Sequence, residues 1–76
     1  MPQRRRYNGP MQIVLNGQPY ECPAPTTVAG LLEAIGLGHK RVAVEVNQRI
    51  VPRSRHATLD LAPDDRVEIV HAIGGG

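Results

Sequence analysis

Seventy-six residues are enough for one domain and no more. With no Phe, no Trp and two Tyr, the core must be built from Val, Leu and Ile, and so thin a core leaves little room for a buried catalytic cavity. The net charge of +2 is unevenly placed: Arg4, Arg5 and Arg6 lie in the first ten residues, while residues 11–76 carry six basic against seven acidic residues, which argues against a nucleic-acid-binding face on the folded part.

Residues 1–10 show no apolar period and contain Pro, Gly and Asn, so they read as a disordered leader ahead of the domain. From Met11, the apolar residues Met11, Ile13 and Leu15 recur with period two, the pattern of a half-buried strand. Asn16-Gly17 is a hairpin turn, because both residue types accept positive φ. A second strand follows over Gln18 to Cys22, ended by Pro23 and Pro25. Thr26 or Thr27 can cap a helix whose stripe is Val28, Leu31, Leu32 and Ile35, and Gly36 and Gly38 supply its left-handed stop. Val42, Val44 and Val46 form a third strand. Asn47-Gln48 turns it into a short segment, Arg49 to Val51, broken by Pro52. Residues 53–63 read as irregular with a short helical turn, and Pro63-Asp64-Asp65 as another turn. Arg66 to Ala72 is the last strand, with Val67 and Ile69 inward and Glu68 and Val70 outward. A hairpin covered by one helix, with the first and last strands side by side, gives an α+β fold: a β-grasp sheet of four to five strands packed on one helix.

Side-chain chemistry is sparse. No glycine-rich phosphate loop is present, and Gly36-Leu37-Gly38 precedes a strand rather than a helix. His39, His56 and His71 lack metal-ligand spacing with Cys22, so solvated surface histidines and no metal are expected. Asp64-Asp65 reads as a turn former rather than a catalytic pair. Cys22, the only cysteine, allows no intrachain disulfide and suits a reducing cytoplasm; with no basic neighbour in sequence it reads as a small apolar strand residue. No apolar run reaches the length of a membrane span, and no hydrophobic stretch follows the charged start as in a secretory signal.

The unusual feature is the end, where the last strand gives way to Gly74-Gly75-Gly76. Glycine weakens ordered structure, so one reading is a frayed end without a role. The other is a thin arm that threads a narrow active site in another protein. A carboxylate must first be activated, for instance as an acyl-adenylate, and a partner would have to bring the ATP and the oxyanion stabilisation.

Residues 11–76 resemble the ThiS family, the sulfur carriers of thiamine biosynthesis. The likeness rests on Met11-Gln12-Ile13 with Asn16-Gly17, on Thr27-Val28 with Leu31-Leu32, on Asn47 through Ile50-Val51-Pro52-Arg53, on Asp64-Asp65, and on Gly75-Gly76. The resemblance implies a ubiquitin-like β-grasp domain over residues 11–73 and a flexible tail over 74–76. It also implies a cycle in which an adenylating enzyme activates the Gly76 carboxylate with ATP. A sulfur donor such as a cysteine desulfurase then makes the thiocarboxylate, and thiazole synthase accepts the sulfur. The chain itself would bind no cofactor, would be a cosubstrate rather than an enzyme, and would be a cytoplasmic monomer when free, with neither nucleic acid nor membrane as partner. The small subunit of molybdopterin synthase is the nearest alternative carrier. Val14, Ala43 and Val70, on the sheet face away from the helix, are the expected docking residues for the partners.

Overall fold

The computed structural model describes residues 8–71. Five strands and one α-helix follow in order: β1 (Gly9–Leu15), β2 (Gln18–Ala24), α1 (Val28–Ala34), β3 (Val42–Val46), β4 (Arg49–Val51), a 3-10 turn (Arg53–Arg55) and β5 (Arg66–His71). They form one mixed sheet in the order β2-β1-β5-β3-β4. The β1–β5 pair is parallel, joined at Val14–Arg66 and Leu15–Val67, and the other pairs are antiparallel. The expected α+β β-grasp architecture is therefore present, with the first and last strands adjacent.

Two boundaries differ from expectation, both for the same reason. β1 begins at Gly9, inside the segment read as leader, and β2 continues through Pro23 to Ala24. The register sets Pro10 opposite Pro23 and Pro19 opposite Val14. The two-residue turn makes Leu15–Gln18 a hydrogen-bonded pair, so these alternate positions require no bond between β1 and β2. Proline there costs the ladder nothing. On β2, an edge strand, the missing N–H would have faced outward. The rest of the expected leader, residues 1–7, lies outside the described residues.

The helix is short and is held by its ends and its packing. Thr27 Oγ1 accepts from Gly30 N–H at 3.0 Å, the expected N-cap. At the other end Leu37 N–H donates to Leu32 O and Gly36 N–H to Glu33 O, with Gly36 at φ 81°. That pattern is a Schellman stop, and Gly36 alone supplies its left-handed residue. Val28, Leu31 and Leu32 are buried against Met11, Ile13, Val44, Val67 and Ile69 of the sheet.

Both expected hairpin turns occur, with Asn16 at φ 49°, and Asn47 and Gln48 at φ 53° and 69°. Asn16 does more than turn the chain. β1 leaves the sheet after Leu15, so the next N–H of β5 on that side, from Ile69, has no strand to meet. Asn16 Oδ1 accepts it at 2.8 Å, while Asn16 N–H donates to Val67 O. Asn16→Gly keeps the positive φ and deletes only that acceptor. It should cost about 1–2 kcal/mol, read as a lower urea midpoint, whereas Asn16→Asp retains the acceptor and should recover most of the loss. Equal stability of the glycine variant and the native protein would contradict this role.

Candidate functional site

β5 carries the chain toward Gly74, Gly75 and Gly76, which lie outside the described residues. What the fold fixes is the root of that segment. β5 is the middle strand, paired to β1 on one side and along Val42–Val46 on the other. Its start is tied down by the turn before it. Asp64 has φ 70°, and its N–H donates to Gln12 O, while Val14 N–H donates to Asp65 O. Asp65 is buried, 5% exposed. Its carboxylate accepts from Ala62 N–H at 2.8 Å and from Asn47 Nδ2 at 3.0 Å. Asn47 in turn accepts Arg66 N–H on Oδ1 at 3.0 Å. The Asp-Asp turn thus joins β1, the β3–β4 turn and β5 in one junction. Asp64 is the turn former the sequence suggests; the burial of Asp65 was not foreseen.

The outer sheet face, away from the helix, carries the three residues expected to dock partners. Val14 is half-buried, Ala43 is exposed and Val70 is 58% exposed. The register brings Ala43 and Val70 directly opposite one another. It does not bring Val14 to them. Val14 pairs with Arg66, four residues back along β5, a distance of roughly 13 Å. Between them lie Glu45 and Glu68, also directly opposite, a like-charge cross-strand pair that weakens the sheet. The face is therefore two apolar patches divided by acid, not one strip. Ile50, 74% exposed and opposite Glu45, also belongs to this face. The two-residue turn at Asn47-Gln48 fixes the parity that puts it there, and that signal was available in the sequence.

The remaining candidates are structural. Cys22 is buried and free. Burial pushes its thiol above the ordinary value, the Thr26 hydroxyl pulls the other way, and the Glu21 charge adds to the rise, so it is a protonated core side chain at neutral pH. His39 and His71 are exposed, as expected. His56 is half-buried, with Nε2 3.2 Å from Val51 O, because the loop after β4 packs back on the helix through Ala29 N–H to His56 O. Among the described residues no group of three or more His, Cys, Asp or Glu could hold a metal ion, and no helix is long and apolar enough to cross a membrane.

A five-stranded mixed sheet in this order, packed on one helix, with a central last strand leading to the C-terminal glycines, defines a ubiquitin-like β-grasp protein. The chain belongs to the ThiS family, whose model matches residues 13–76. It is similar to the sulfur carrier protein ThiS of Escherichia coli, 36% identical over 66 residues that cover 87% of this chain and 100% of that protein. It is also similar to a thiazole synthase of Magnetococcus marinus, 46% identical over 66 residues, 87% of this chain, and spans only 20% of that protein's length. Among solved structures, that of thiamine biosynthesis protein ThiS from Geobacter metallireducens has a TM-score of 0.75 and 28% identity, with 87% of this chain and 100% of that one covered.

Proposed function

We propose that this chain is a sulfur carrier of thiamine biosynthesis, with Gly76 as the point of attachment. The observation that carries the reading is the alignment with the whole length of a sulfur carrier protein, together with a family match that runs through Gly76. An oxygen of the Gly76 carboxylate attacks the α-phosphate of ATP on a partner adenylating enzyme and pyrophosphate leaves. The outer sulfur of a persulfide, such as a cysteine desulfurase supplies, attacks the acyl-adenylate and displaces AMP, and a thiol then reduces the resulting acyl disulfide, leaving the thiocarboxylate. Thiazole synthase then takes the sulfur. That partner is suggested by the relative in which a region like this chain forms part of a thiazole synthase. The chain acts as a cosubstrate. The ATP and the reducing conditions of the cycle point to the cytoplasm, where a free cysteine such as Cys22 persists.

The physical division of labour follows from the fold. Gly74, Gly75 and Gly76 carry no Cβ and can enter a narrow site, while β5, held on both sides, fixes where that arm begins. Val70 and Ala43, at the end of β5 nearest the tail, are the proposed docking residues; Val14 serves a second contact beyond the Glu45–Glu68 pair.

Incubation with the adenylating enzyme, ATP and a sulfur donor should exchange one C-terminal oxygen for sulfur, seen by intact-mass spectrometry. Val70→Glu should slow the exchange about tenfold, equivalent to about 1.4 kcal/mol of lost contact, without a matching fall in melting temperature. Absence of the mass change, under conditions that modify the Escherichia coli carrier, would refute the proposed function. An unaltered rate for Val70→Glu would refute only the docking assignment.

A further inference from the structure

β4 is an edge of the sheet, and the hydrogen-bond parity of the β3–β4 hairpin leaves part of it unused. Val46 and Arg49 flank the two-residue turn and form its closing hydrogen-bonded pair, so Val44 and Val51 form the next one. Ile50 falls between them, opposite Glu45. Asn47 N–H donates to Arg66 O on β5, so Glu45, two residues earlier, also directs its backbone groups to β5. The N–H and C=O of Ile50 therefore point away from the sheet. Its side chain is 74% exposed. An open edge of this kind accepts one thing well, another extended strand.

The surroundings of the edge select the strand. An open groove of about 550 Å³ runs beside it, with Val51, Pro52 and Leu59 as its apolar lining, Arg49 and Arg55 as its charges, and no carboxylate. Three of the six basic residues in 11–76 fall at Arg49, Arg53 and Arg55, within a stretch that holds no acid. A second copy of the chain pairing here would set two such arginine groups side by side, which repel. An acidic strand would be attracted.

We propose that the β4 edge takes an extended, acidic segment of a partner protein, which adds a sixth strand to the sheet through the Ile50 backbone and sets carboxylates against Arg49 and Arg55. With one residue's backbone pair available, the contact is weak and reversible. It places a second anchor on the carrier at the edge strand, away from the tail. The inference does not depend on the sulfur-carrier reading, and its test needs only the folded chain.

The probe is the peptide acetyl-Glu-Val-Glu-Val-Glu-amide, titrated into the full-length ¹⁵N-labelled protein. Saturable shifts should centre on the amides of Arg49 to Val51 and of Arg55, with a dissociation constant on the order of 1 mM, and should weaken as salt is raised. The Lys-Val-Lys-Val-Lys counterpart and a fully N-methylated version of the acidic peptide should give no saturable shift. Arg49→Ala with Arg55→Ala should weaken binding about fivefold. Ile50→Pro removes an N–H that the hairpin does not use, so it should keep the fold and lose the site. The proposal is overturned if the acidic peptide shows no saturable shift, if its shifts map elsewhere, or if either control peptide binds equally well. It is overturned too if sedimentation shows the free chain dimerising through this edge, for then a second copy is the occupant.

Discussion

Addition of one alanine after Gly76 should nearly abolish adenylation while leaving the melting curve unchanged. The added residue moves the carboxylate outward by about 3.5 Å and sets a methyl group beside the reacting carbon. Attack on the α-phosphate of ATP requires near-attack distance, and a misplacement of about 1 Å already costs roughly 100-fold. Stability should not respond, because the added residue lies beyond Gly76, while the buried core among the described residues runs from Met11 to Ile69. Gly75→Ala should be milder, since it narrows the backbone dihedrals but keeps the reach. ATP–pyrophosphate exchange by the partner enzyme, measured for the three forms beside their melting curves, separates the two effects. If the extended form is adenylated as fast as the native one, Gly76 is not the reacting centre and the carrier reading fails.

The contrast between tail and body also marks what the sequence could reveal. Local rules sufficed where one residue type answers one geometric demand. Asn16-Gly17 and Asn47-Gln48 turn because their backbones accept positive φ. Val28, Leu31 and Leu32 bury because their spacing puts them on one helical face. Local rules failed where the answer depended on a neighbour far along the chain. Pro23 reads as a breaker until its partner across the ladder is known to be Pro10. The outer face reads as an apolar strip until the strand order sets Glu68 beside Glu45. Asp65 reads as a turn residue until Asn47, eighteen positions earlier, is found bonded to it at 3.0 Å. For the tail, the three glycines by themselves suggest a thin arm for a partner's site, and the sulfur chemistry proposed for Gly76 rests on the resemblance to a family.

Asp65 is where the body should be most vulnerable. Asp65→Ala removes both carboxylate oxygens from a site that is 5% exposed. Ala62 N–H and Asn47 Nδ2 each lose a charged acceptor, and a hydrogen bond to a charged group contributes about 1.5–3 kcal/mol. The methyl group cannot fill the vacated space. A loss of about 3 kcal/mol is expected, and for a domain of this size each kcal/mol moves Tm by roughly 4–8 °C, so the fall should exceed about 12 °C. Asp65→Asn keeps one acceptor but turns an NH2 toward a donor, and should recover half of the loss at most. Asn47→Ala with Asp65→Ala should be less damaging than the two single changes added together, because both single changes break the same Asn47–Asp65 hydrogen bond and the double change loses it only once. The experiment is a double-mutant cycle by urea denaturation, with pyrophosphate exchange measured on the same proteins well below their melting points. Exchange per folded molecule should stay near native, since the junction holds the root of β5 and touches no reacting atom. A melting point for Asp65→Ala within about 3 °C of native would show that the junction is incidental. Normal stability with lost exchange would instead move Asp65 from the fold to the partner contact.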